Sequence, residues 1–242
     1  MKIIFLGTNG WYTTPTGNTP CILIDSKEGY TIFDAGNGIY KLDQFITEQK
    51  PISLFISHFH LDHVSGLHSL DKVIFSQGID VYVGEGRLKD FEALVNPPFT
   101  SPKINARVHE LEDGKHNIPF PVEVIEQFHT YRDHGYRVTL EGKTIAYSGD
   151  TGISDASKLL AANVDLLIHE CSWIEIENPK WGHVIPTEAA TLAKEAGTKK
   201  LVLTHFDASK YTSLDLRKEA ERKAQEIFPE TTVATDDLVI EI

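Results

Sequence analysis

Three histidines and one aspartate occur within six residues of this sequence, as His58, His60, Asp62 and His63. Imidazole nitrogens and carboxylate oxygens are ligands that suit zinc, and also iron and manganese. A short apolar run before His58 predicts a buried strand that would hold this segment at the end of a sheet. In the turn that follows, His58 and His60 can point the same way and bind one ion. Asp62 and His63 come after the turn and can face a second ion.

Six residues cannot complete two tetrahedral sites, so further ligands must come from elsewhere in the chain. Three candidates each come within three residues after a predicted strand, namely His129, Asp150 and His205. A single histidine or aspartate at a strand end is usually structural. All of these residues together, in this order, favour a shared metal site.

The elements that must position these residues are short. Predicted strands cover residues 2–6, 21–25, 30–33, 54–56, 81–83, 107–111, 122–127, 136–140, 144–147, 166–168, 201–204 and 238–242, and predicted helices cover 39–49, 84–94, 187–196 and 214–227. Residues 96–105 are Pro-rich and lack periodicity, which predicts a loop. Strand clusters interrupted by helices favour an α/β fold of stacked layers. No linker rich in Gly, Ser or Pro divides the chain, so residues 1–242 are expected to form one domain.

Composition excludes several classes of protein. The chain has 242 residues, of which 41% are hydrophobic and 24% charged, so it can bury a large core. No apolar run approaches about 18 residues, which argues against a transmembrane protein. The apolar run near the first residue is too short for a signal-peptide core, and a cytoplasmic location is expected. Cys21 and Cys171 are too few for a disulfide framework and are expected to be buried thiols.

The pattern His58-x-His60-x-Asp62-His63, followed by His129, Asp150 and His205, resembles the five motifs of the metallo-β-lactamase fold hydrolases. The resemblance covers most of the chain. It implies a four-layer αββα sandwich with a dinuclear metal site at one edge, between the two sheets. By position, it implies one ion on His58, His60, His129 and Asp150 and a second on Asp62, His63, Asp150 and His205.

The resemblance also implies a mechanism. Asp150 would bridge the ions, since a carboxylate has two oxygens, and a hydroxide that bridges the metals would be the nucleophile. Two ions about 3.5–4 Å apart lower the pKa of a shared water and bind both oxygens of an in-line displacement. Asp62 would act in catalysis by orienting the hydroxide while also binding metal. Zinc is the expected metal, with manganese and iron as alternatives.

Within this fold, several segments resemble ribonuclease Z and its phosphodiesterase relatives: residues 5–8 with 17–20, 135–138, 168–171 and 203–206. In that branch a Glu and a downstream His handle a proton near the leaving group, and Glu170 and His183 match this pair. A Glu that orients a His, which then protonates a departing alkoxide, is general-acid chemistry. The spacing to Gly135 favours His129 over His134 as the ligand, and His134 is expected to line the cleft or lie at the surface.

The chain departs from ribonuclease Z in three places. No long tRNA-gripping arm is evident between His63 and His129, residues 11–15 replace a basic loop, and residues 207–211 carry Lys where the family has Arg. Weak tRNA binding is therefore predicted, because affinity for a phosphate backbone needs clustered cations and the formal net charge is −12. Candidates to line a pocket for a base or another flat group are Trp11, Tyr12, Phe99 and Trp181.

Together these observations predict a dinuclear metal-dependent phosphodiesterase that acts on a small or cyclic phosphodiester, or on an RNA end. Hydrolysis of a lactone, ester or thioester at the same metals is the first alternative, because lactonases share the histidine pattern. A catalytically silent binding protein on this fold is the second. No membrane partner is expected, and a homodimer is a further expectation because the branch often dimerises.

Overall fold

The computed structural model describes residues 1–71, 73–100 and 106–242. In chain order the strands are β1 (Lys2–Gly7), β2 (Asn9–Gly10), β3 (Cys21–Asp25), β4 (Tyr30–Phe33), β5 (Ile52–Phe55), β6 (Ile79–Gly84), β7 (Ala106–Leu111), β8 (Gly114–Asn117), β9 (Pro121–Gln127), β10 (Asp133–Leu140), β11 (Lys143–Tyr147), β12 (Leu166–Glu170), β13 (Leu201–Thr204), β14 (Phe206–Asp207), β15 (Thr231–Val233) and β16 (Val239–Glu241). The α-helices are α1 (Leu61–Val64), α2 (Leu88–Leu94), α3 (Asp155–Ala161), α4 (Pro186–Glu195) and α5 (Leu214–Gln225). Three 3₁₀ helices in the described residues span Asn37–Gln44, Ser65–Asp71 and Pro179–Trp181.

Within the described ranges, the strands form two mixed sheets of seven strands each. The first has the order β16-β1-β3-β4-β5-β6-β7 and the second has the order β15-β13-β12-β11-β10-β9-β8. The short strands β2 and β14 pair with each other in parallel. Helices flank the two sheets, and this layered α/β architecture confirms the predicted fold class.

Alternating residues of each central strand face different cores. In β1, Ile3 and Phe5 lie in the core between the two sheets. Ile4 and Leu6 lie in a second core, where the first sheet packs against its helices. A third core joins the second sheet to α3, α4 and α5. Because successive strand side chains point to opposite faces, three cores separate four layers.

The carboxyl ends of the central parallel strands meet at one edge of the molecule. In the first sheet β4, β5 and β6 are parallel, and in the second sheet β11, β12 and β13 are parallel. At this edge the His134 amide donates to the Ser57 carbonyl at 3.1 Å, which joins the two sheets. Loops that follow the carboxyl ends of such strands form the usual ligand crevice of an open α/β sheet.

Several predicted elements differ from the observed ones. The helix predicted over residues 39–49 is a 3₁₀ helix over Asn37–Gln44, and the helix predicted over 84–94 is only Leu88–Leu94. Residues 96–100 form part of a loop, as predicted, while residues 101–105 of the predicted loop lie outside the described residues. No helix among the described residues has the length and apolar character needed to span a bilayer.

Candidate metal centre

Four of the predicted ligands form a first cluster at the shared edge. His58 and His60 follow β5, His129 follows β9 and Asp150 follows β11. Each offers one donor atom, and these four atoms lie within 4.8 Å of one another. His58 and Asp150 are buried, while His60 and His129 are half-buried. The ends of three strands therefore bring together donors from three separate parts of the chain.

The remaining predicted ligands form a second cluster. Asp62 and His63 lie on the short helix α1, and His205 follows β13. Their donor atoms also lie within 4.8 Å of one another. His205 has a φ of 54°, and Gly10 lies against its ring, where a Cβ would stand only 2.6 Å from His205 Cε1. Glycine at position 10 thus lets β2 pass beside this imidazole.

Asp150 lies between the two clusters. Its Oδ1 is 3.5 Å from His63 Nε2 and 3.3 Å from His205 Nε2. Its Oδ2 is 4.0 Å from His58 Nε2. One carboxylate oxygen therefore faces each cluster, which is the arrangement that a bridging ligand requires.

Buried carboxylates orient one histidine of each cluster. Asp133 Oδ2 is 2.6 Å from His58 Nδ1 in the first cluster. Asp34 Oδ2 is 2.7 Å from His63 Nδ1 in the second. In both cases the Nδ1 atom is engaged and the Nε2 atom is left facing the cluster. Carboxylate–histidine pairs of this kind fix the orientation of metal-binding imidazoles and increase their basicity.

Two other histidines are oriented without a carboxylate. His129 Nδ1 lies 3.2 Å from the carbonyl oxygen of Gly182. His205 Nδ1 lies 2.8 Å from the hydroxyl of Ser172. Gly182 has a φ of 68°, and a Cβ there would approach the Phe128 carbonyl oxygen at 2.3 Å. The backbone carbonyl can therefore reach His129 only because residue 182 is glycine.

The donor set fits two divalent ions. His58 Nε2 and Asp150 Oδ1 are buried side-chain atoms that have no hydrogen-bond partner, and both face the clusters. Leaving such atoms unpaired costs about 1–3 kcal/mol each, a cost that coordination to an ion removes. Imidazole and carboxylate donors match zinc, manganese and iron. The two clusters are consistent with a dinuclear metal site.

The ionisable groups of the site shift one another's pKa values. Although burial favours its neutral form, the carboxylates of Asp150, Asp34 and Asp62 raise the pKa of His63. Burial opposes ionisation of Asp62, but the charges of His63 and His205 hold its pKa below the usual range. Buried charges of this kind are either paired with one another or coordinate metal ions.

A Glu–His pair adjoins the metal centre. His183 Nδ1 is 2.8 Å from Glu170 Oε1. The two oxygens of Glu170 also accept the backbone amides of Thr151 at 3.2 Å and Ser172 at 2.8 Å. Burial disfavours the charged imidazolium, but Glu170 and Asp150 outweigh it and raise the pKa of His183 to about 9. The pair therefore holds a proton beside the clusters.

Members of both clusters, together with His183 of the Glu–His pair, line one cavity of about 540 Å³. His60, Asp62, His129 and His183 all line it. Such a volume lies within the range of roughly 300–1,000 Å³ typical of small-molecule sites. The metal donors and the proton donor thus face one space that can hold a ligand.

Sequence reasoning missed the two orienting carboxylates. Asp34 directly follows β4. The reasoning that singled out Asp150, a metal-binding residue type just after a predicted strand, would therefore also have singled out Asp34. Asp133 begins β10 and carried no comparable signal, because its contact with His58 depends on how the two sheets meet.

Two expectations about side chains near the site are wrong. His134 neither lines the cleft nor lies at the surface, because it is 1% exposed within β10. Its Nε2 lies 3.7 Å from a carboxylate oxygen of Asp113. Phe99 lines a different cavity, together with Tyr40 and His68.

Comparison with known proteins agrees with this geometry. The profile of the "Beta-lactamase superfamily domain" matches residues 31–206. Ribonuclease BN of Escherichia coli K12 is 29% identical over an alignment that covers 100% of both chains. That alignment spans 309 positions against the 242 residues of this chain, so about 67 positions of the relative have no counterpart in it.

Solved structures show the same architecture. The metallo-beta-lactamase fold protein YhfI from Bacillus subtilis superposes with a TM-score of 0.84, at 23% identity over 99% of each chain. The short form of human tRNase Z superposes with a TM-score of 0.77, at 28% identity over 100% of this chain and 99% of the other. With its paired sheets, its two His/Asp clusters and these matches, the chain belongs to the metallo-β-lactamase superfamily and is a full-length homologue of ribonucleases BN and Z.

Proposed function

We propose that this protein is a dinuclear metal-dependent phosphodiesterase, with residues 1–242 acting as one hydrolase domain. The observation that carries the proposal is the Glu170–His183 pair, because His183 lines the same cavity as members of both metal-binding clusters and Glu170 holds it from behind. A metal pair alone would serve many hydrolyses. A positioned proton donor is most useful where the leaving group is a poorly stabilised alkoxide, as in an alkyl phosphodiester or ester, and the homology to ribonucleases BN and Z favours the phosphodiester.

The ligands that we propose are His58, His60, His129 and Asp150 for one ion and Asp62, His63, Asp150 and His205 for the other. When bound, two divalent ions supply a hydroxide nucleophile at neutral pH and neutralise phosphate oxygens. The first choice of metal is zinc, on the basis of the donor set. Asp62, whose carboxylate lies at the cavity wall, is proposed to orient the attacking water.

The chain's own residues supply the proton. Against the effect of burial, the Glu170 carboxylate raises the pKa of His183 to about 9, which favours the protonated imidazole at neutral pH. Its Nδ1 proton is held by Glu170, so Nε2–H remains to protonate the departing oxygen as the P–O bond breaks. Glu170 keeps its place because backbone amides hold both of its oxygens. Proton donation by a positioned side chain contributes about 10²–10⁴-fold to a rate.

The relatives named ribonuclease make an RNA end one candidate substrate. The −12 net charge and the roughly 67 positions of the relative that this chain lacks favour a small or cyclic phosphodiester instead. Binding along an RNA backbone draws most of its affinity from cations that neutralise phosphates. We therefore propose a small phosphodiester as the substrate.

A substrate panel tests the proposal. Protein with quantified zinc or manganese would be assayed with bis-p-nitrophenyl phosphate, a lactone and a thioester, with Asp62→Ala as the inactive reference. We expect turnover of the phosphodiester and its loss in Asp62→Ala. Turnover of the lactone or thioester alone would replace this function with acyl hydrolysis. Well under one ion per chain, without activity on added metal, would make the protein a binding protein.

A further inference from the structure

Two exposed indoles stand at the mouth of the metal-site cavity. Trp11 is 67% exposed and Trp181 is 47% exposed, and both line this cavity. They also line an adjoining cavity of about 300 Å³, so they mark the boundary between the two spaces. Large aromatic side chains are usually well buried, because they carry the largest apolar surfaces. Neither indole is needed in a core, and both face the space that a ligand would enter.

The backbone holds Trp11 in place at a conformational cost. Its φ is 71°, in the left-handed region that non-glycine residues rarely adopt. The Trp11 amide donates to Asp62 Oδ2 at 2.8 Å, which ties the residue to a proposed metal ligand. The preceding strand β2 pairs with β14, which follows the ligand His205. A strained residue retained at a site edge is expected where its side chain has a function.

A buried polar network fixes the loop that carries Trp11. Asn9 Nδ2 donates to the carbonyl oxygen of Gly17 and to the hydroxyl of Thr14, both at 2.9 Å. Arg217 is fully buried beneath the loop and donates to Asn9 Oδ1 and to the Thr8 hydroxyl. The indole is therefore presented by a preorganised loop, which lowers the entropic cost of binding a ligand.

Trp181 belongs to a segment that contacts the first cluster. It ends the 3₁₀ helix that precedes Gly182, whose carbonyl orients His129. Its ring is 6.4 Å from the buried Trp173 ring at an angle of 58°. Each of the two indoles is thus attached to a segment that also contacts a proposed metal ligand.

The charges on the cavity walls beside the indoles do not favour a polyanion. Among the described residues that line the metal-site cavity, none is lysine or arginine. The adjoining cavity has Lys210, but its ammonium group is paired with Glu177, and Asp207 lies on the same wall. On the walls of these two cavities, phosphate charge would therefore meet only the metal centre and the His183 imidazole. A ligand with one phosphate and one flat uncharged group fits this distribution.

We propose that Trp11 and Trp181 form a subsite for the nucleobase of a small nucleotide phosphodiester, the base stacking on the indoles while the phosphate reaches the metal centre. This inference rests on the proposed phosphodiesterase function and names its substrate class. Removing one aromatic ring that stacks on a base weakens binding by about 5- to 150-fold. Because stacking uses the π-face that every base has, the subsite would tolerate different bases.

Equilibrium binding tests the subsite without turnover. Adenosine 5′-monophosphate has no diester bond, and ribose 5-phosphate carries the same phosphate without a base. Calorimetry on the metal-loaded protein would compare the two ligands in wild type, Trp11→Ala, Trp11→Phe and Trp181→Ala. We expect AMP to bind at least about 5-fold more tightly than ribose 5-phosphate, and each alanine variant to lose most of that preference. Trp11→Phe should retain the preference for AMP. Tyr40→Ala, which removes an exposed aromatic side chain outside the site, should match wild type.

Each other outcome has a definite meaning. Equal binding of the two ligands by the wild type, or an unchanged preference in both alanine variants, would overturn the subsite. A pentanucleotide that binds far more tightly than AMP would overturn the restriction to small substrates. Phosphodiester turnover without a base preference would leave the proposed function in place and remove the subsite. A base preference without any phosphodiester turnover would leave the base subsite in place and remove the proposed function.

Discussion

Asp34 offers a sharp test of how the centre is built. It is fully buried, and it accepts the Ser57 amide on Oδ1 at 2.8 Å. Its Oδ2 faces three donors: the Ser57 hydroxyl at 2.9 Å, His63 Nδ1 at 2.7 Å and the Tyr147 hydroxyl at 2.5 Å. Replacing Asp34 with asparagine keeps the shape of the side chain. It also removes the charge and leaves a single oxygen for all these donors.

The size of the effect follows from these contacts. The new NH₂ group must face either the Ser57 amide or the three donors on Oδ2, so at least one buried donor loses its acceptor. Hydrogen bonds to charged groups are worth about 1.5–3 kcal/mol, and a buried unpaired donor costs about 1–3 kcal/mol. We expect Asp34→Asn to lower the free energy of unfolding of the metal-free protein by about 3–5 kcal/mol. Loss of a partner that orients a metal-binding histidine typically weakens metal affinity by about 10–100-fold.

Asp133→Asn is the matched variant, because Asp133 orients His58 in the other cluster. Zinc would be titrated by calorimetry into chelator-treated wild type, Asp34→Asn and Asp133→Asn, in competition with a chelator of known affinity. We expect Asp34→Asn to weaken the His63 and His205 site, and Asp133→Asn to weaken the other. Circular dichroism would establish that each variant is folded, and Tyr147→Phe provides a milder perturbation if Asp34→Asn is not.

The result that refutes this reasoning is specific. If both variants weaken both ions equally, the two carboxylates do not support separate sites. If Asp34→Asn is folded and binds both ions as the wild type does, the contact to His63 has no role in metal binding.

Three further predictions concern the proton donor and the stability of the fold. His183→Ala should lower kcat by about 10²–10⁴-fold for a diester with an alkyl leaving group, and by less for a p-nitrophenyl diester, whose leaving group needs no proton. Equal losses for both substrates, or a loss of bound metal, would contradict the acid role. The control is His68→Ala, which replaces an exposed histidine. Asp80 accepts Arg107 Nε at 2.8 Å, and Arg107 and His109 hold the pKa of Asp80 below its usual value. This stabilisation is present above the ordinary carboxyl pKa of about 3.9 and is lost as the pH falls through the lower folded value. Asp80→Asn should therefore lower the free energy of unfolding at pH 7 by up to about 1 kcal/mol, and a difference that persists at pH 2 would show that the charge of Asp80 is not the cause. Ser154 caps α3 by accepting the Ser157 amide at 3.1 Å, so Ser154→Ala should cost about 1 kcal/mol in thermal or urea unfolding, and an unchanged unfolding curve would show that the cap contributes nothing.

Much of the site could be predicted because its ligands follow strands that sequence patterns reveal. The runs before His58, Asp150 and His205 are short, apolar and rich in β-branched residues, which is typical of buried strands. Parallel neighbours then bring the strand ends to one edge, whatever the length of chain between them. The strand pattern did not identify Glu170 and His183 as a pair. Only the resemblance to ribonuclease Z indicated their shared role.

Other parts depended on contacts that one sequence does not reveal. Strand β8 is Gly-Lys-His-Asn, which has no apolar alternation, and it forms because β9 offers a free edge. The segment Asn37–Gln44 is a 3₁₀ helix, in which Gly38 packs so closely on β1 that a Cβ would lie 2.5 Å from the Leu6 carbonyl oxygen. Asp133 reaches His58 only because the two sheets meet there. Local propensity cannot anticipate such tertiary contacts.

The most direct test of a dinuclear phosphodiesterase is the number of metal equivalents that turnover requires. Chelator-treated protein would be titrated with zinc while hydrolysis of bis-p-nitrophenyl phosphate and bound metal are measured on the same samples. The two clusters on either side of Asp150 predict that two ions bind per chain and that most of the turnover appears with the second equivalent. Full turnover with a single ion bound, or two bound ions without phosphodiester hydrolysis, would contradict the account.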